Sequence, residues 1–98
     1  MNDKSARIKN IVTKIDIEKI NSYLQEHSSS KTLKEIVKYS KRILDSNDDK
    51  KMFKLAVDTA YNLDTLINKT SYVKNKEEKK LLLEIAKELF ENTIGYKE

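Results

Sequence analysis

Carboxylates are the most abundant groups in this chain that could do chemistry. Asp and Glu number 16 against 20 Lys and Arg, for a formal net charge of +4. Paired carboxylates can act as general acid and base or hold a metal, provided that they converge in a site of their own. Here they stand beside lysines at helical spacing, the pattern of solvated charges and weak ion pairs. His27 is the only histidine and lies in a serine-rich stretch, HSSSKT. It has no Glu-x-x-His or His-Glu-x-x-His setting, so a carboxylate–histidine metal site lacks its usual ligands. With no cysteine, thiolate zinc sites, disulfides and cysteine nucleophiles are all excluded. A lone glycine, Gly95, rules out a glycine-rich phosphate loop. Asn68-Lys69-Thr70 matches the glycosylation pattern, which a cytosolic chain never presents to that machinery. No catalytic set, metal or cofactor is expected, and the chain reads as a protein that works by binding.

The elements that would position a binding surface follow from composition and period. A chain of 98 residues with no proline, one glycine near its end and many Lys, Glu, Leu and Ala residues favours helix almost throughout. The first helical region runs from about residue 3 to 26. Ile8, Ile11, Val12 and Ile15 share one face, while Ile17, Ile20, Tyr23 and Leu24 share another. This slip of phase predicts a kink near Asp16, with Thr13 or Asp16 capping a new start. The second helix is expected from Thr32, where Thr32 and Glu35 have capping-box spacing. Its buried stripe would be Leu33, Ile36, Val37, Ser40, Ile43 and Leu44. Asn47 is the expected cap of a third helix over about 48–69, with a core face of Met52, Phe53, Ala56, Ala60, Leu63 and Ile67. Leu55, Val57, Tyr61 and Leu66 widen that face. Asn75 can cap a fourth helix over about 76–92. Its apolar residues from Leu81 to Phe90 span roughly 200° of the helix, and Gly95 stands where a left-handed residue would stop it. The expected fold is all-α, most simply an antiparallel four-helix bundle forming a single domain.

Three surfaces remain for a partner. The second helix shows a cationic face of Lys34, Lys38, Lys41 and Arg42, which reads either as a phosphate or membrane patch or as an ordinary solvated face. The fourth helix carries surplus apolar width, with Leu83 and Phe90 seven residues apart near Lys76, Lys79, Lys80 and Lys87. These two either pack on a neighbour or form an anchor with a basic rim. Last come the linker and tail: Lys69, Tyr72, Val73 and Lys74, then Ile94, Tyr96 and Lys97. An aromatic among lysines there suits a contact near a membrane, or Tyr96 folds back on the bundle. The expected partner-binding set is Lys69, Tyr72, Lys74, Lys76, Lys80, Leu83, Lys87, Phe90, Tyr96 and Lys97.

Bulk charge limits the partners. Each half of the chain holds 10 basic and 8 acidic groups, and Arg7 and Arg42 are the only arginines. Even charge and scarce arginine argue against nucleic acid, although a small DNA- or RNA-binding regulator or antitoxin stays open. So does a helical adaptor or oligomerisation module pairing through Leu83 and Phe90. The N-terminal residues show no signal-like apolar core, and no run reaches the roughly 18–20 apolar residues of a membrane span. The expected location is therefore the cytosol, with recruitment to the inner face of the membrane through a peripheral membrane contact left open.

The stretches MNDKSARIKNIVTKIDIEKINSYL, MFKLAVDTAYNLDTLINKTSYVKNKEEKKLLLEIAKELF and NTIGYKE carry a resemblance. Together they resemble the immunity proteins of pediocin-like (class IIa) bacteriocins, and among these the mundticin type. The resemblance spans essentially the whole chain. It implies a cytosolic four-helix bundle, expected to be a monomer, that protects a producing cell from its own pore-forming peptide. It also implies a partner: the membrane-embedded subunits of the mannose phosphotransferase system, with bacteriocin bound. The C-terminal half would decide which peptides are resisted, and Gly95 would free a short aromatic and charged tail to reach that partner.

Overall fold

The computed structural model describes residues 3–93. Among these residues the fold is all-α, with five helices and no strand: α1 (Asp3–Val12), α2 (Ile17–Glu26), α3 (Lys31–Asp45), α4 (Asp49–Lys69) and α5 (Lys76–Glu91). The slip of phase near Asp16 appears as a break between α1 and α2. The Asp16 carboxylate accepts the Lys19 amide at 3.0 Å and caps α2, while the Thr13 hydroxyl donates to the Asn10 carbonyl at 2.5 Å. A continuous helix would rotate one of the two apolar stripes into solvent. The break lets Ile15 and Ile20 both be buried.

The caps correct two expected starts. Ser30, not Thr32, caps α3, its hydroxyl accepting the Leu33 amide at 3.4 Å. Glu35 is thereby freed from a capping box and lies 3.9 Å from Lys31, one turn away. For α4 the cap is Asp48 rather than Asn47, accepting the Lys51 amide at 3.3 Å. A carboxylate at that end also meets the positive end of the helix dipole. Asn75 caps α5 as its position predicts, accepting the Glu78 amide at 2.7 Å.

Helix α5 ends before Gly95, which lies outside the described residues. Side chains close the end: the Asn92 amide donates to the Glu88 carbonyl at 2.8 Å, and the Thr93 hydroxyl donates to the carbonyls of Leu89 and Phe90. These bonds satisfy carbonyls that the last turn would otherwise leave open.

Helix α4 is the central element. It packs between α3 and α5, while α1 touches all three and α2 rests on α3. Met52, Phe53, Ala56, Thr59, Ala60, Leu63 and Leu66 are its buried residues. Leu66 takes the deep position expected of Ile67, which is half-buried, because helices on both flanks turn that face toward their shared groove. Leu44 is exposed rather than buried. It lies one residue from the end of α3, and Ile43 fills the core there.

Two buried hydroxyls are anchored. Ser5 donates to Asp49 at 2.5 Å, tying α1 to the start of α4, and Thr59 donates to the Leu55 carbonyl at 2.8 Å. Ser40 differs: it is fully buried, and among the described residues its hydroxyl has no hydrogen-bond partner. Burying an unmet hydroxyl costs about 1–3 kcal/mol. Ser40→Ala is therefore expected to raise stability by about 1 kcal/mol, read as a higher urea midpoint with unchanged slope. A lower midpoint would show that the hydroxyl is satisfied in solution.

Candidate functional site

Helix α5 turns two different charged faces outward. At 100° per residue, Lys76, Lys79, Lys80, Leu83, Lys87 and Phe90 fall within an arc of about 100° that holds no acid. Glu77, Glu84, Glu88 and Glu91 occupy the adjoining arc of about 60°. The bundle uses its acids. Glu88 meets Lys14 at 3.4 Å, and Glu78, the innermost acid of α5, meets Lys19 of α2 at 2.7 Å with only 18% of its side chain exposed. No described carboxylate pairs with Lys76, Lys79 or Lys80, and Lys87 has only Glu91 of its own helix, at 3.8 Å. These lysines are exposed, and Leu83 among them is 42% exposed.

The apolar end of this arc meets α4. Phe90 is half-buried, and its ring sits edge-on to Tyr61 with centroids 5.2 Å apart. Tyr61 was expected to widen the core face of α4, yet it is 61% exposed. The Phe90 contact fixes one edge of the ring and leaves the phenol in water, a common division for an amphipathic aromatic. Sequence reasoning missed Tyr61 as a surface residue and left Lys79 out of the set. Plotting lysines and glutamates separately on α5 would have found Lys79. The tyrosine carried no such signal, because its exposure depends on how α5 crosses α4.

Of the other expected residues, Lys69 and Lys74 are exposed in and beside the connection before α5. Tyr96 and Lys97 lie outside the described residues. Tyr72 is a correction. It was expected in an accessible linker, but only 7% of it is exposed and it belongs to the core. The ring lies edge-on to Tyr23 of α2 at 4.9 Å, and the Lys19 ammonium stands 5.4 Å from its centroid. The Thr70 hydroxyl accepts the Tyr72 amide at 3.3 Å and donates to the Leu66 carbonyl, shaping the turn that points the ring inward. Burial, then the nearby Glu78, Asp16 and Tyr23, push the phenol up from 10.0 to about 12. Tyr72 therefore clasps α2 and is not available to a partner. His27 stacks on Tyr23 at 4.1 Å and completes this cluster.

Nothing described has the form of a catalytic cleft. The groove between α3 and α4 is lined by Tyr39, Arg42, Lys51 and Lys54 but also by Asp45 and Asp58, so it favours no single charge. Among the described residues no group of acids and histidine is placed to hold a metal, and no helix is long and apolar enough to cross a membrane. Among the described residues, the α5 arc combines cations with an exposed leucine and ends at two aromatic rings, whereas the exposed lysines and arginine of α3 carry no exposed aromatic among them. Compared with protein-family models, curated proteins and solved structures, the chain shows no match.

Proposed function

We propose that this chain is an immunity protein that protects a bacteriocin-producing cell from its own pore-forming class IIa peptide. It binds rather than catalyses. Acting as a monomer in the cytosol, it engages the bacteriocin-occupied receptor, the membrane-embedded subunits of a mannose phosphotransferase system, and keeps the pore from leaking. The observation that carries this reading is the outer arc of α5, where Leu83 and Phe90 sit inside a rim of lysines. That composition suits a contact with a membrane-embedded partner: apolar anchors supply affinity, and lysines tolerate anionic lipid beside it. Helices α1 and α2 serve in this reading as one broken column beside α3, α4 and α5. The five helices then make the antiparallel four-helix bundle that the sequence resemblance implies.

The test is survival. Expressed in a sensitive bacterium, the chain should protect against one or a few pediocin-like peptides and not against an unrelated pore former. Absence of protection across a broad panel, with soluble folded protein in the cell, would end this reading. Phe90→Glu, in a variant folded by circular dichroism, is expected to reduce protection at least tenfold in inhibitory dose, since one desolvated anchor is worth about 2 kcal/mol. Tyr96→Ser should act in the same direction. Undiminished protection from both folded variants would move the contact elsewhere on the molecule.

A further inference from the structure

The bundle leaves part of α5's charge without an internal use. The acids facing α1 and α2 find Lys14 and Lys19, whereas Lys76, Lys79 and Lys80 find no described carboxylate. We propose that the lysine arc of α5 is a lipid-docking face that seats the chain on an anionic bilayer surface. The lysines contact headgroup phosphates, and Leu83 enters the headgroup boundary. This extends the docking surface proposed above, but it rests on the segregation of charge and not on the immunity reading.

Three features favour a bilayer over a shaped acidic protein. The arc follows a single convex helix for about 20 Å from Lys76 to Phe90, a form that lies on a flat surface more readily than in a pocket. Every cation on it is lysine. Lysine is a hydrated point charge that suits a diffuse anionic layer, whereas fixed carboxylates are better met by the bidentate fork of arginine. Its apolar groups are the exposed Leu83 and the half-buried Phe90, with Tyr61 of α4, 61% exposed, beside Phe90. Shallow insertion at the interface needs no more than this, and tyrosine is at home at that depth. Lys69 and Lys74, exposed just before the helix, continue the charge. A lysine near an anionic surface strengthens binding by about fivefold.

Flotation of the full chain with vesicles tests this. The chain should float with mixed phosphatidylcholine–phosphatidylglycerol vesicles and not with phosphatidylcholine alone. The triple substitution Lys76→Gln, Lys79→Gln and Lys80→Gln should lower partitioning about 100-fold. A second triple on α3, Lys34→Gln, Lys38→Gln and Lys41→Gln, reaches the same net charge and should lower it less than about fivefold. Failure of the folded wild type to float with anionic vesicles would overturn the proposal. Equal losses in the two triples would do so too, by making net charge the cause. Tighter binding of this face to soluble polyglutamate than to vesicles would assign it to an acidic protein instead. Flotation without protection would leave the lipid face standing and remove the immunity reading. Protection without flotation would do the reverse.

Discussion

Tyr72→Ala is expected to lower the stability of the chain by about 3 kcal/mol, the usual cost of emptying a buried aromatic site. Helix α2 has one buried residue of its own, Ile20, and packs its backbone against α3. Its other flank is held by the connection between α4 and α5, through the Tyr72 ring against Tyr23, and by the first turn of α5, through Lys19 on Glu78. The exposed half of that ion pair limits it to less than about 1 kcal/mol, so the ring does most of the holding. Loss should be local before it is global. Amide exchange in α2 is expected to quicken in Tyr72→Ala more than exchange in α4, which is buried on both flanks. Tyr72→Phe keeps the ring and should retain most of the stability. A Tyr72→Ala variant with the wild-type denaturation midpoint would show that the ring is not a clasp.

The second large effect is alkaline. The folded state holds the Tyr72 proton to about pH 12, while the unfolded chain releases it near 10.0. Below pH 10 both states are protonated and the phenol has no effect on the pH dependence. Between the two values the unfolded state binds fewer protons, so stability falls as pH rises. The expected loss is on the order of 2 kcal/mol across that window. The measurement is a difference between the wild type and a variant that lacks this one hydroxyl. Tyr72→Phe should lose less stability than the wild type between pH 10 and 12, and parallel curves would refute the assignment. Burial is the main cause of the shift, with Glu78 and Asp16 adding to it. Glu78→Gln should therefore narrow the window without closing it.

Much of the fold was legible because helical period and capping chemistry are local. The break at Asp16 could be read from the slip between the Ile8–Ile15 and Ile17–Leu24 stripes, and Asn75 could be read as a cap from its place before two glutamates. The errors were local competitions between neighbours of similar chemistry. Ser30 won over Thr32 and Asp48 over Asn47, and periodicity cannot rank adjacent polar residues. For the candidate site, Lys76, Lys80 and Lys87 were placed on the polar side of one helix alone, whereas Leu83 stood open between packing on a neighbour and facing out. Tyr72 was placed wrongly. A tyrosine between lysines in a connection looks solvated until the turn made by Thr70 aims it beneath α2.

By itself, the sequence determined the all-α class and the absence of cysteine and glycine-loop chemistry, and it placed the lysines and glutamates of α5 together on one polar strip. These are properties of residue type and of a 3.6-residue period, and they need no knowledge of neighbours. Only the tertiary structure decided which of two aromatics faces water. Tyr61 lies on the helix that carries most of the core and is exposed; Tyr72 lies in a polar connection and is buried. Their burial depends on where α5 crosses α4 and on what α2 covers. Those positions are set by the packing of all five helices at once, because buried apolar area is shared between elements far apart in the chain.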